Sequence, residues 1–136
     1  MRTNTDITVY NKYIVSREAV YQRTVVAKAM WQGVDGTKLI TSGGQLSDDK
    51  AAIYIPSSNR PAHLDPVEWQ ELVDKSDKWT LQNGDYIVKG SVSDEITALF
   101  TISDLKAKYN DVLVITNVKK HDYGSASMQH WKIGAK

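Results

Sequence analysis

The sequence contains no cysteine, and only three of its 136 residues are proline and one is phenylalanine. The absence of cysteine excludes disulfide bonds, thiol chemistry and zinc sites built on thiolates. No apolar run approaches the roughly 18–20 residues that a membrane-spanning helix requires. Residues 1–6 are polar, and the apolar segment of a signal peptide does not follow them. These absences predict a soluble protein made in the cytoplasm, with no membrane partner.

Charge of one sign is also lacking. The 17 basic residues nearly balance the 16 acidic ones, which leaves a formal net charge of +1. Nucleic-acid-binding proteins that work by bulk electrostatics usually carry a marked basic excess. The balance therefore argues against that class, although it leaves a local basic patch open. The length predicts a single domain over residues 1–136.

The residues that are abundant favour strands. Val, Ile and Thr together number 33, against 18 for Leu plus Ala. Branching at Cβ restricts rotamers in a helix and suits the surface of a pleated sheet. Strand-like runs recur without regular alternation with helices, so a parallel sheet is not expected. The sequence predicts a mainly β fold, a small antiparallel β-barrel or sandwich.

Residues 20–34 form the longest strand-like run. A strand of this length would extend roughly 45–50 Å, so a bend or bulge is expected inside it. Asp35-Gly36 is a turn signal, and residues 37–41 can return as the second strand of a hairpin. Gly90 inside a strand pattern indicates a bulge or a close backbone approach. The other predicted strands lie at residues 51–55, 86–90, 112–118 and 128–133.

Two segments stand outside the strand pattern. All three prolines lie between residues 56 and 66, and Asp65 followed by Pro66 is typical of a helix start. We therefore expect a loop-helix insertion over residues 57–78, with a short helix at 66–75 that presents Val67, Leu72 and Val73. Ser103 is the expected N-cap of a helical turn at 103–109. For residues 1–19, an edge strand or an extended N-terminal arm is as well supported as a core element.

No motif for catalysis or metal binding is present. The three histidines, His63, His121 and His130, stand in no nucleophile frame and have no metal-ligand spacing. We expect His63 in a surface loop, His121 in a solvated turn and His130 in a strand, packed or partly exposed. The adjacent acids at 48–49 and 94–95 point to opposite faces of a strand and do not converge. The sequence therefore predicts neither an enzyme nor a metal or cofactor site.

A platform for nucleic acid would place aromatic and basic residues together on one sheet face. In the strand at 86–90, Tyr86, Val88 and Gly90 share a face and Lys89 lies opposite, which is not that pattern.

Four blocks carry a resemblance to a known family. They run from Val20-Tyr21-Gln22-Arg23-Thr24-Val25 to Trp31, over Ile53-Tyr54-Ile55-Pro56, over Trp79-Thr80-Leu81-Gln82-Asn83-Gly84-Asp85-Tyr86-Ile87-Val88-Lys89-Gly90, and over Met128-Gln129-His130-Trp131-Lys132-Ile133-Gly134. In order and spacing they resemble the minor capsid or head-tail joining proteins of tailed phages and prophages of Gram-positive bacteria. The resemblance covers residues 20–134.

The resemblance implies a head-completion, stopper-like protein in the virion neck. Such a protein is a small β-barrel that forms a ring, closes the channel on packaged DNA and docks the tail. Its expected partners are copies of itself, a portal or adaptor protein, and a tail-tube or tail-terminator protein, with packaged DNA near the lumen. It would be made in the host cytoplasm. A tail-terminator, a capsid-associated minor protein and a small β-barrel binding module for nucleic acid or peptide remain alternatives.

Ring assembly needs strand edges or arms that can pair with neighbours, because exposed N–H and C=O groups are ready partners. Residues 1–19 and the hairpin at 33–44 are the candidate segments. The candidate assembly residues are Tyr10, Tyr13, Val34, Asp35, Gly36, Thr37, Lys38 and Arg60.

Overall fold

Six strands close into an antiparallel barrel in the computed structural model, which describes residues 3–33, 50–57 and 60–136. The neighbours around the barrel are β1-β2-β3-β6-β5-β4, and β4 pairs with β1 to complete it. This confirms the predicted mainly β, antiparallel fold, and of the two predicted architectures, barrel or sandwich, the structure is the barrel. The strands are β1 (Thr5–Val15), β2 (Glu18–Gly33), β3 (Ala51–Pro56), β4 (Tyr86–Lys89), β5 (Val112–His121) and β6 (His130–Ala135).

Strand β1 is a wall of the barrel with neighbours on both sides. It pairs with β2 from Thr5 to Val15 and with β4 over Ile7–Tyr10. Its residues from Ile7 to Asn11 are all buried, since one face points into the barrel and the other lies under a second layer. Of the alternatives predicted for residues 1–19, Thr5–Val15 therefore forms the core element and not an edge strand or an arm. A run in which polar and apolar residues are equally buried gives no alternation to detect.

The hydrophobic core fills the barrel. Ile7, Ile53, Ile87 and Ile133 are each fully buried there, and each such side chain contributes roughly 1.5–3 kcal/mol relative to exposure. A smaller cluster lies outside the barrel wall. It joins Tyr10 and Val88 to the second layer. The barrel core also contains Val9, Val26, Ala29, Trp31, Ala51, Ile55, Trp79, Leu81, Ile115, Trp131 and Ala135, and the outer cluster also contains Val92 and Leu105.

A bulge interrupts β2, as the length of that strand predicted. Thr5 is opposite Ala29 and Ile7 is opposite Val26, so Ala27 and Lys28 together face Asp6. Lys28 has a φ of 63°, a left-handed conformation that residues with a Cβ rarely adopt. Its N–H donates to the Asp6 carboxylate at 3.1 Å.

The guanidinium of Arg60 also stabilises this bulge. Its Nη2 donates to the carbonyl oxygens of Ala27 at 2.6 Å and of Lys28 at 3.2 Å. Its Nε donates to the carbonyl of Pro56, so one guanidinium joins β2 to the end of β3. The backbone carbonyls that the bulge leaves unpaired thus acquire a donor.

A buried polar network replaces strand pairing where β1 continues past β4. Asn11 Nδ2 donates to Thr80 O at 2.7 Å and to Asp85 Oδ2 at 3.0 Å, and Thr80 N donates back to Asn11 Oδ1 at 3.2 Å. Asp85 also accepts from the N–H of Lys12 and from the amide of Gln82. Burial raises the pKa of Asp85, although these hydrogen bonds oppose the shift.

The first helix is shorter than predicted. Helix α1 covers Pro66–Glu71, and its chain turns extended at Leu72. Trp69 is its buried residue, whereas Val67 and Val73 are exposed, so the predicted apolar face is wrong. The indole of Trp69 packs against the edge of the Tyr13 ring and donates to Lys78 O. The loop-helix segment is thus anchored by one tryptophan.

Helix α2 covers Ile102–Lys108, close to the predicted turn, but its N-cap is Thr101 and not Ser103. The Thr101 hydroxyl accepts from the N–H of Asp104, and the Asp104 carboxylate accepts from Thr101 N, which is a capping box. Leu105 is the buried residue that holds α2 against the outer cluster.

The last two strands shift relative to the prediction. Strand β5 continues to His121, so the expected polar turn begins later, and Ile115 is its fully buried residue. Strand β6 begins at His130, after a short 3-10 turn at Ala126–Met128.

Gly90 has a φ of 93°, but a Cβ there would meet no heavy atom within 4 Å. Its glycine therefore serves the backbone conformation and not a close approach.

The bulge yields a stability test. The backbone of Lys28 is in the left-handed conformation, which glycine adopts without strain, and glycine keeps the N–H that donates to Asp6. Lys28→Gly should therefore raise the free energy of unfolding, measured by urea denaturation, by about 0.5–1 kcal/mol. Ala27→Gly, at the adjacent exposed position without a positive φ, should lower it by about 0.5–1 kcal/mol. Equal losses in both variants would show that the bulge is not strained at Lys28.

Candidate functional site

The structure separates the predicted assembly residues. Tyr10 is fully buried and its hydroxyl donates to Asp94 O, so it is wrong as a surface contact. Arg60 is occupied by the carbonyls of the bulge. Tyr13 is partly exposed and packs against Trp69 and Lys75. Residues 34–38, which carry the other five predicted contacts, lie outside the described residues.

His63 does not lie in a free surface loop. Its ring packs between two indoles at one end of the barrel, with centroid distances of 4.8 Å to Trp79 and 4.2 Å to Trp131. Burial lowers the pKa of His63 to about 4, and the neighbouring Lys120 acts in the same direction while Asp65 opposes it. The ring contacts of this neutral imidazole are with two tryptophans, which makes it a packing element.

This histidine makes stability depend on pH. Its folded pKa of about 4 lies below the ordinary value of 6.5, so the unfolded chain binds the proton first as pH falls. Above pH about 6.5, His63 does not change the free energy of unfolding. As pH falls below that value, the free energy of unfolding decreases, and below pH about 4 the decrease reaches about 1–3 kcal/mol after allowance for solvent screening. Urea unfolding of the wild type and of His63→Phe across this range should show a smaller loss in the variant. Parallel curves would contradict this.

A hollow lies beside the polar network. It encloses about 290 Å³ and is lined by Lys12, Tyr13, Ile14, Gln70, Gln82, Asn83 and Asp85. Asp85 is its buried acid, and both carboxylate oxygens already accept hydrogen bonds from Asn11, Lys12 and Gln82. A carboxylate so occupied positions the backbone and is not available as a base.

The outer surface of β3, β5 and β6 carries a cluster of basic and aromatic side chains. Side chains alternate along these strands, with Ile53, Trp131 and Ile133 inside the barrel. The residues between them point outward. We call this outward set the basic face; it consists of Tyr54, Lys119, His121, His130 and Lys132.

Strand register places these side chains in two cross-strand pairs. Lys119 is opposite Lys132, and His121 is opposite His130. The two imidazoles stack at 4.6 Å with only 16° between their planes. Tyr54, on the neighbouring strand, lies 5.8 Å from His130 and 5.9 Å from Lys132 Nζ, measured from its ring centroid. Two residues of one sign and two titratable rings therefore form a compact array.

Electrostatics on the basic face are one-sided. Strands β3, β5 and β6 contain no Asp or Glu but contain three lysines, of which Lys119 and Lys132 lie on this face. Burial lowers the pKa of His121, and His130, Lys119 and Lys132 lower it further. Its Nδ1 is 2.8 Å from the Tyr123 hydroxyl, while its Nε2 is buried without a hydrogen-bond partner among the described residues.

The sequence pattern alone did not reveal this face. His121 was expected in a solvated turn, and the search for alternating aromatic and basic residues covered only the strand at 86–90. The signal was present as Lys119 and His121 at alternate positions on one strand and His130 and Lys132 at alternate positions on the next. Only the register shows that the two patterns lie side by side.

The one-sided field can be tested by titration. The pKa of His121 in NMR titrations of the imidazole protons should lie below its ordinary value of 6.5. Because removal of a nearby positive charge favours the imidazolium, Lys119→Ala and Lys132→Ala should each raise it. Lys89→Ala, an exposed lysine on β4, is the matched control and should leave it unchanged. A His121 pKa that is the same in the wild type and in both lysine variants would contradict the described face.

No group of three or more His, Asp or Glu side chains in the described residues is placed to hold a metal ion. Within the same residues, neither helix has the length and apolar character that crossing a membrane requires.

Comparison with known proteins gives one match. A family model described as "Family of unknown function (DUF6751)" matches residues 2–136, which include every strand of the barrel. The search of curated proteins finds no match. The search of solved structures finds none either.

Proposed function

The chain belongs to the family of unknown function DUF6751, and we propose that it is a structural protein of the neck of a tailed bacteriophage. It would be of the head-completion, stopper-like type, made in the host cytoplasm and located at the head-tail interface of the virion. In this role it acts by assembly and not by catalysis.

The four sequence blocks carry the proposal. Their apolar residues supply much of the barrel core, so the resemblance falls on the positions that set the fold. Trp31, Ile53, Ile55, Trp79, Leu81, Ile87, Trp131 and Ile133 are all members of that core. A stopper-like protein is expected to be a small β-barrel, and the closed barrel is consistent with that expectation.

The hairpin of β1 and β2 supports assembly into a ring. Strand β4 covers β1 only over Ile7–Tyr10, so the hairpin continues beyond the barrel. A two-residue turn joins its strands, with Ser16 and Arg17 both at positive φ as a type I′ turn requires. Ile14 and Val15 are 60% and 49% exposed beside this turn. An apolar tip on a projecting hairpin suits insertion against the next copy in a ring.

The expected neighbours follow from the neck position. Copies of the chain would form the ring, a portal or adaptor protein would lie above it, and a tail-tube or tail-terminator protein below. Packaged DNA would lie near the lumen. The same barrel would also serve a tail-terminator or a capsid-associated minor protein, which differ in their neighbours and not in the fold.

A small β-barrel binding module is the second candidate, because the basic face is a ready surface for an anionic ligand. The two functions differ in where the protein is found. A module acts free in the cell, whereas a neck protein is retained in finished particles.

Particle composition tests the proposed function. Mass spectrometry of virions purified from the phage or induced prophage that encodes the chain should detect it at about the level of the portal protein. A non-structural protein of the same phage should be absent from those particles. Absence of the chain from mature virions would overturn the proposal.

The projecting hairpin gives a matched pair of variants. Ile14→Asp places a charge at the apolar tip and should abolish the formation of infectious particles in a complementation assay. Leu99→Asp, at a residue 95% exposed on another part of the surface, should leave particle yield unchanged. Both proteins should keep the circular dichroism spectrum of the wild type. Full complementation by Ile14→Asp would exclude the hairpin from assembly.

A further inference from the structure

We propose that the basic face binds the phosphate backbone of duplex DNA. The assignment rests on the proposed function, because the neck is where this chain would meet packaged DNA. It names the surface that faces the channel, which the proposed function leaves open.

Unpaired like charge is the first argument. Lys119 and Lys132 are directly opposite each other on β5 and β6, and like charges in that position destabilise a sheet. The ion pairs among the described residues are Arg23–Glu95 and Lys108–Asp94, so neither lysine of the face has an acidic partner there. A polyanion that lies across both strands would relieve the repulsion and release counterions.

Preorganisation is the second argument. The Tyr54 ring lies under Lys132 Nζ at 5.9 Å, which favours a lysine held at the face over one free in solvent. The Tyr123 hydroxyl is fixed 2.8 Å from His121 Nδ1, at the edge of the same face. Donors that are held in place before binding lose less entropy when a phosphate arrives.

Protonation of His121 would add positive charge to the basic face. His121 faces His130 and Lys132 on β6, and Lys119 and Tyr123 on its own side; Asp122, the next residue in the chain, is exposed in the turn. A nearby phosphate would favour the imidazolium over the neutral ring. DNA binding on this face should therefore be accompanied by proton uptake and should strengthen as pH falls.

The main alternative occupant is a second copy of the chain, because its segment that includes α1 is acidic and would complement the basic face. That segment carries five acidic residues, Asp65, Glu68, Glu71, Asp74 and Asp77, against Lys75 and Lys78. Duplex DNA is favoured because the face combines paired lysines with aromatic rings and presents no exposed aliphatic side chain of its own. A protein-protein interface would be expected to have an apolar centre.

The test is a DNA-binding assay on the full chain. Fluorescence anisotropy with a labelled duplex of about 20 base pairs should show binding that weakens linearly in log–log form between about 50 and 200 mM salt. Lys119→Ala and Lys132→Ala should each reduce the magnitude of the salt slope by about 1. The double variant should bind at least about tenfold more weakly at the lowest salt. Lys89→Ala is the matched control and should bind as the wild type does.

Measurements at several pH values isolate His121. Wild-type affinity should rise as pH falls from 8 to 5.5, and His121→Gln should show a smaller rise. Binding in which Lys119→Ala/Lys132→Ala and Lys89→Ala behave alike would overturn the assignment. So would a face whose lysine variants change self-association in sedimentation experiments and leave DNA binding intact, since the occupant would then be a second copy.

The two proposals fail separately. A chain found in virions that does not bind duplex DNA through Lys119 and Lys132 keeps its neck function and loses this surface. A chain absent from virions whose lysine variants weaken DNA binding keeps the surface and becomes a nucleic-acid-binding module.

Discussion

The pairing of β1 with β4 closes the barrel, and the other elements depend on that closure. Only four residues of β4 take part, so backbone hydrogen bonds alone supply a short seam. Asn11 and Asp85 extend it as a fully buried amide and carboxylate that satisfy each other and the backbone of Thr80 and Lys12. A buried polar pair of this kind stabilises only when every partner is present. It therefore also fixes the register in which β1 meets β4, and with it which residues of β1 face the core.

Closure in turn determines what the surface can do. With the apolar residues of six strands turned inward, the outside of β3, β5 and β6 is free to carry one kind of charge. Most of the acidic residues in the described part of the chain lie elsewhere, on the segment around α1 and on α2 and the turns beside it. A net charge of +1 thus conceals a polarised molecule. Polarity of this kind suits a subunit whose opposite sides meet different neighbours, as the proposed neck position requires.

Local chemistry in the sequence predicted local structure well. The abundance of β-branched residues predicted the mainly β class, the excessive length of β2 predicted its bulge, and Pro66 predicted the start of α1. Failures arose where tertiary position decides. Ile7–Asn11 carries no alternation because both faces are buried. His63 is packed by Trp79 and Trp131, residues 16 and 68 positions away along the chain. The basic face was missed for the same reason, since the register between β5 and β6 cannot be read from either strand alone.

The order in which the chain folds follows from the same seam. Thr8 and Gly90, which meet where β1 joins β4, are 82 residues apart in sequence, whereas β1 and β2 are joined by a two-residue turn. Loop-closure entropy favours the hairpin first and the seam late. Until β4 arrives, β1 presents an unpaired edge rich in β-branched residues, which is a template for association with other chains. In a cell that makes many copies at once, chaperone demand should concentrate on that interval.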